Sequence, residues 1–174
     1  MDQAILVEML ARVIRCRPTL DLAETIIAGS NPQEEVPWYF PGDDLFTPFE
    51  RRRGLPLGNQ TSQFFANVYL NGMDQFIDRQ VKPPVYVRYV DDWVVFDDDK
   101  ERLGELRVRL EAELARVRLR MHPGKSRVYR CRDGLTFLGW RLFPGHARLA
   151  RGNVVATQRR MRRLQERASS TGNE

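Results

Sequence analysis

Asp91 and Asp92 stand side by side in "YVRYVDDWVVF", between two runs of β-branched and aromatic residues. The alternation predicts two strands with the carboxylates at their bend. Aspartate makes turns readily, because it tolerates left-handed backbone and accepts from nearby amides. Both flanking runs, "YVRYV" and "WVVF", read as buried, however. Uncompensated carboxylates in such a place cost several kcal/mol unless a cation pairs with them. Hard oxygen donors without Cys or His suit Mg2+, which is commonly held by one or two carboxylates plus substrate phosphates. Two such ions, about 3.5 to 4 Å apart, serve phosphoryl transfer by activating the attacking oxygen and stabilising the leaving one.

The remaining composition narrows the classes. At 174 residues the chain is one ordinary domain or part of a larger protein. Cys16 and Cys131 are far apart, and His122 and His146 complete no metal-ligand spacing with them. Free thiols suit a reducing cytosol, no apolar run approaches the roughly 20 residues of a membrane helix, and the N-terminus lacks a signal-peptide layout. A cytoplasmic protein is the expectation. The net charge of +5 comes from bases that are nearly all arginine, clustered at Arg51 to Arg53 and from Arg148 to Arg167. Arginine forks suit phosphate. A GC-rich genome that favours arginine everywhere and a solvated helix face would produce the same clusters.

The elements that must position the acids follow from periodicity and caps. "DQAILVEMLARVIR" predicts a helix capped by Asp2, and "TLDLAETIIAG" a second stopped by Gly29. Residues 30–53 carry four prolines and "PGDD", which predicts a long ordered loop or arm. "SQFFANVYLNGMDQFIDR" predicts an amphipathic helix starting near Asn59. "DDDKERLGELRVRLEAELARVRLRM" predicts a long helix capped near Asp98 or Asp99, with acids early and arginines late. "SRVYRCRDGLTFLGWRLF" predicts two strands turning at Asp133-Gly134, and "NVVATQRRMRRLQER" a basic helix before a polar tail. The order describes an α+β sheet with helices on one face.

"YVDD" between apolar strands resembles the signature hairpin of reverse transcriptases. Three other stretches resemble that family in order and spacing: "RGLPLGNQTSQFFANVYLNGMDQF", "LRMHPGKS" and "TFLGW". The variant "LGNQTSQ", with "NPQEEVPWYFPGDDLFTPFERRRGLP" and "FLGWRLFPGHARLARGN", resembles the enzymes of diversity-generating retroelements, relatives of group II intron and retron reverse transcriptases. The resemblance implies a ferredoxin-like (RRM-like) palm over residues 1–147, with a finger-like insertion near 30–53. Residues 148–174 would be the basic start of a thumb and a polar tail. It implies RNA-directed DNA polymerisation from dNTPs on template RNA with a primer or cDNA end, two Mg2+ ions replaceable by Mn2+, a small basic accessory variability protein, and a bacterial or phage origin.

Roles follow residue by residue from that resemblance. Asp91 would ligate the metal joining primer end and triphosphate, with Asp92 a weaker ligand or electrostatic support. Gly58 would let backbone approach nucleotide or template, and Asn59, Gln60, Ser62 and Gln63 would bond base or sugar, although helix capping also explains Asn59 to Ser62. Leu57 would make selection rest on shape, with lower fidelity. Lys125 would neutralise triphosphate or protonate pyrophosphate, although a solvent lysine after Pro-Gly is the bland alternative. Phe137, Leu138, Gly139 and Trp140 would steady the primer terminus, although core packing alone explains Phe137 and Leu138 equally well. Arg51, Arg52 and Arg53 would meet template phosphate, and Arg159, Arg160 and Arg163 would grip the duplex backbone.

The chain also departs from the family's pattern. "MDQAIL" resembles only the tail of the run that carries a third catalytic aspartate, and that strand and most of the fingers and thumb have no counterpart here. Three expectations result: a fragment or mis-started gene of an active enzyme, one half of a split polymerase, or a catalytically dead nucleic-acid-binding remnant. In each the chain alone would not polymerise.

Overall fold

The computed structural model describes residues 1–29, 38–56 and 60–171, with side chains as far as residue 165. The chain divides into two compact units, Met1–Val128 and Tyr129–Glu174.

In the first unit Asp2 caps helix α1 (Gln3–Ala11), its carboxylate accepting from the amides of Ala4 at 2.9 Å and Ile5 at 3.2 Å. The helix stops at Ala11 instead of running to Arg15 as its apolar spacing suggests. α2 (Arg17–Ala28), with Pro18 in its first turn and Gly29 at its end, folds back so that Leu20, Ala23 and Ile27 meet Leu6 and Leu10. Val13 is left 79% exposed. Within the arm expected at 30–53, a short helix α3 (Thr47–Glu50) is preceded by Asp44, whose carboxylate accepts from the amides of Phe46 and Thr47. Residues 30–37 of that arm lie outside the described residues.

α4 (Gln60–Phe76) runs between two cores. Its first half packs Phe65 and Tyr69 against α1 and α2, and its second half packs Leu70, Met73 and Phe76 against Leu106, Leu110 and Leu114 of α5 (Lys100–Arg116). Each buried leucine contributes about 1.5–3 kcal/mol, and their three- and four-residue spacing makes α5 form on this side. Asp99 caps α5, accepting from the amides of Glu101 and Arg102. The helix ends at Arg116, short of the expected Met121. Arg118 there takes φ +53, its amide donating to the Ala115 carbonyl at 3.0 Å and that of Leu119 to the Leu114 carbonyl at 2.9 Å, a left-handed helix close, and its Nη1 lies 2.6 Å from Oδ2 of the buried Asp2.

Between α4 and α5 a π-helical turn, Ile77–Val81, leads into strands β1 (Val85–Tyr89) and β2 (Asp92–Phe96), paired antiparallel with Tyr89 opposite Asp92. Tyr86, Trp93 and Val95 pack on the α4–α5 core. The other face is open, with Val85, Val87 and Tyr89 47%, 43% and 54% exposed. The expectation of strands buried all round is thereby corrected, because in this two-stranded sheet helices cover only one face.

In the second unit strands β3 (Leu135–Phe137), β4 (Trp140–Phe143) and β5 (His146–Leu149) form an antiparallel sheet in that order, followed by helix α6 (Arg151–Thr171). The hairpin turns at Leu138–Gly139 and not at Asp133-Gly134. Both turn residues have positive φ, +48 and +80, the pattern of a type I′ turn. Cys131–Asp133 instead forms a 3-10 turn, and a Cβ on Gly134 would lie 2.5 Å from the Phe143 ring. Pro144 and Gly145, the latter at φ +84, turn the chain into β5, which the sequence reading did not anticipate.

Candidate active site

Pairing of Tyr89 with Asp92 leaves Val90 and Asp91 as the two loop residues of the β1–β2 hairpin. Val90 has φ +55, whereas Asp91 does not enter the positive-φ region. Positive φ at the first loop position alone is the pattern of a type II′ turn, which asks for glycine there. A β-branched residue in that conformation is an outlier costing on the order of 1–3 kcal/mol. Strain of this kind persists only where surrounding contacts over-determine it.

Those contacts come from Arg88. Its Nη1 donates to the Val90 carbonyl at 2.7 Å and to Asn67 Oδ1 at 2.9 Å, and its Nε donates to Asp74 Oδ1 at 2.7 Å. A close contact joins Nη2 to Asp74 Oδ2, and the Tyr86 hydroxyl donates to Asp74 Oδ1 at 2.8 Å. Hydrogen bonding to Asp74 raises the Arg88 pKa, while burial and then Asp74 raise that of Tyr86. The turn is thus tied to α4 through Asn67 and Asp74, which lie two helical turns apart on one side. Sequence reasoning missed this network. The signal was Arg88 itself, a charge at the same strand parity as the inward-facing Tyr86.

Asp91 and Asp92 are both exposed, and among the described residues neither carboxylate makes an ion pair or a hydrogen bond. This corrects the picture of a dry bend in which burial demands a cation. The geometry offers two uncommitted carboxylates on a braced, solvent-facing turn, Asp92 on the same open face as Tyr89, Val87 and Val85. Such a donor set fits Mg2+ or Mn2+ bound through one or two carboxylates, the other ligands being water or phosphate oxygens. Among the described residues no group of three or more His, Cys, Asp or Glu gathers to form a fuller site.

The other singled-out residues are dispersed. Leu57, Gly58 and Asn59 lie outside the described residues. Gln60 and Gln63 are exposed at the start of α4, and the Ser62 hydroxyl donates to the Pro56 carbonyl, tying helix to loop. Lys125 is exposed in a turn where its amide donates to the His122 carbonyl, and among the described residues it makes no ion pair with Asp91 or Asp92.

Arg51 differs from its neighbours. Its side chain is only 3% exposed, with Nε 3.2 Å from Asp2 Oδ2, a close contact between Nη2 and Asp43, and Nη1 donating to the Trp38 carbonyl at 3.2 Å. At this position the guanidinium is engaged by carboxylates and a carbonyl of the fold. Its hydrogen bond holds the Asp43 carboxyl below the usual carboxylate range. Arg52 is exposed and Arg53 half-buried. Asp2 also receives Arg118, and its amide donates to the Tyr69 hydroxyl at 3.1 Å. No sequence signal beyond the Asp2 cap pointed to this buried hub.

In the second unit Phe137 is half-buried, while Leu138 and Trp140 are 46% and 47% exposed at the hairpin tip. The Gly139 carbonyl accepts from the Ala150 amide at 2.9 Å and from Asn153 Nδ2 at 3.2 Å. Arg159, Arg160 and Arg163 are exposed, as is every described side chain of α6.

Residues 17–142 match the family described as reverse transcriptase (RNA-dependent DNA polymerase). The chain belongs to the reverse transcriptase family. The match runs from α2 into β4 and so includes the Asp91–Asp92 hairpin, Lys125 and the Leu138–Gly139 turn, whereas α6 lies beyond it. A family of RNA-dependent DNA polymerases acts on template nucleic acid and deoxynucleoside triphosphates. No curated protein matches the chain. No helix among the described residues is long and apolar enough to cross a membrane.

Proposed function

We propose that the chain carries part of the nucleotidyl-transfer centre of a reverse transcriptase, with Asp91 as the principal ligand of a divalent ion and Asp92 beside it. The observation that carries this reading is the braced turn itself: two adjacent carboxylates, exposed and uncommitted, on a strained bend within the segment that matches the family. Ions held there would neutralise triphosphate charge and stabilise both attacking and leaving oxygens. Two carboxylates are too few to hold two ions without other ligands, so the 174-residue chain by itself is proposed to bind metal weakly and to extend no primer.

Lys125 is proposed to meet the triphosphate, Gln60 and Gln63 the nucleotide or template, and the exposed Leu138–Trp140 tip the primer end. The exposed arginines of α6, with Arg52, supply sequence-independent attraction to phosphate backbone. The finer assignment to diversity-generating retroelements, with an accessory variability protein, rests on the resemblance of "LGNQTSQ" and the stretches around it.

The test is a chimaera in which residues 17–142 replace the matching segment of an active reverse transcriptase, assayed by primer extension on RNA with Mg2+. The expected result is copying that Asp91→Asn reduces by at least about 100-fold, as loss of a principal charge-stabilising group does. An active chimaera that Asp91→Asn leaves unimpaired would overturn the assignment.

A further inference from the structure

We propose that Arg88 is a positioning residue for the Asp91–Asp92 turn: its guanidinium, aimed by Asp74 and Asn67, grips the Val90 carbonyl and fixes the direction in which Asp91 leaves the backbone. This rests on the reading of Asp91 as a metal ligand and adds to it the device that orients the ligand.

The geometry supports each link. Val90 at φ +55 is in a conformation that a β-branched side chain avoids, so the turn cannot be held by local preference. The Val90 carbonyl belongs to the peptide plane that joins Val90 to Asp91, and a charged donor at 2.7 Å sets the rotation of that plane. Arg88 is itself fixed from several sides, its side chain 13% exposed and both Asp74 oxygens engaged. A planar fork can serve Asp74, Asn67 and the carbonyl together, whereas a lysine ammonium cannot span them. Arg88 touches neither carboxylate at the bend, so its effect on them passes through the backbone.

The experiment is NMR of the full 174-residue chain labelled with 15N and 13C, comparing wild type with Arg88→Lys, Asp74→Asn, Asp91→Asn and the double variant Arg88→Lys/Val90→Gly. The first readout is the sign of φ at residue 90, from three-bond couplings and the intraresidue amide-to-Hα distance. Arg88→Lys is expected to lose the positive φ, and Asp74→Asn, which releases the guanidinium more gently, to populate both signs. The second readout is the Mn2+ concentration that half-broadens the amide signals of residues 89–93. Arg88→Lys should raise it about tenfold, the scale on which outer groups orient metal ligands. The double variant should recover most of that loss, because glycine adopts the turn unaided. A merely structural role for Arg88 would lower thermal stability in both variants without this recovery.

A folded Arg88→Lys that keeps Val90 at positive φ would overturn the proposal, whatever the metal does. If Arg88→Lys does not fold, an unchanged turn in Asp74→Asn would overturn it equally. Failure of the ligand reading looks different: Mn2+ broadening would persist undiminished in Asp91→Asn while the turn in wild type kept its geometry.

Discussion

Replacement of Arg51 by alanine separates a structural clamp from a phosphate contact. In the folded chain its guanidinium lies between Asp2 and Asp43, whose side chains are 2% and 1% exposed. Breaking a buried ion pair by removing one partner costs about 3–5 kcal/mol, because the remaining charge stays buried. Asp2 keeps Arg118 at 2.6 Å and its capping amides, whereas Asp43 loses its hydrogen-bonded cation and keeps the Phe40 amide at 2.7 Å. The expected loss therefore lies toward the lower end, about 3 kcal/mol. Against a domain stability of about 5–15 kcal/mol the variant folds but is weakened. Urea denaturation of Arg51→Ala should show a midpoint lower by at least about 1 M. Arg52→Ala, on an exposed side chain, should stay within about 0.5 kcal/mol of wild type. A phosphate contact would behave in the opposite way, reducing the slope of RNA affinity against salt by about one unit. An Arg51→Ala protein of unaltered midpoint and shallower salt slope would refute the clamp.

Gly139→Ala should destabilise the second unit by more than about 1 kcal/mol, since the residue sits at φ +80 and a Cβ would lie 2.3 Å from Asn153 Nδ2; paired with Asn153→Ala the loss should shrink but not vanish, as thermal melts would show. Asp43 has a folded pKa below its unfolded value because of its hydrogen bond to Arg51, so its stabilising contribution is complete above about pH 4 and is lost as pH falls through the lower folded value. Urea midpoints followed from neutral to about pH 3 should therefore fall in wild type, and fall less in Asp43→Asn.

Features that depend on a few neighbouring residues were legible in the sequence. Asp2 and Asp99 cap where capping chemistry places them, Gly29 closes α2, and the leucines of α5 make the buried stripe that their spacing describes. Contacts made by distant partners were not legible. Arg118, the left-handed residue that closes α5, reaches Asp2, a residue 116 positions away, and the role of Arg51 depends on Asp2 and Asp43 being brought to it by the fold. At the second hairpin two turn signals competed. Asp133-Gly134 is the stronger by residue type, but Leu138–Gly139 is the one that puts Phe137 opposite Trp140 and lets the Gly139 carbonyl meet Ala150 and Asn153. Asp91 was read correctly as a turn residue, but the turn is one residue earlier than expected, at Val90 and Asp91, with Asp92 already in β2 opposite Tyr89, and the surroundings of both acids were misread. A strand's apolar alternation shows that a face can be covered, and only the fold shows that helices cover just one.

Anomalous diffraction at the manganese edge, from crystals of the chain grown with Mn2+ and a deoxynucleoside triphosphate, bears most directly on the chemistry at the bend. Metal ligation by Asp91 and Asp92 predicts a peak about 2 Å from an Asp91 carboxylate oxygen, in contact with triphosphate oxygens and absent from Asp91→Asn crystals. Peaks found only at other carboxylates, with the turn ordered and its two acids bare, would contradict it.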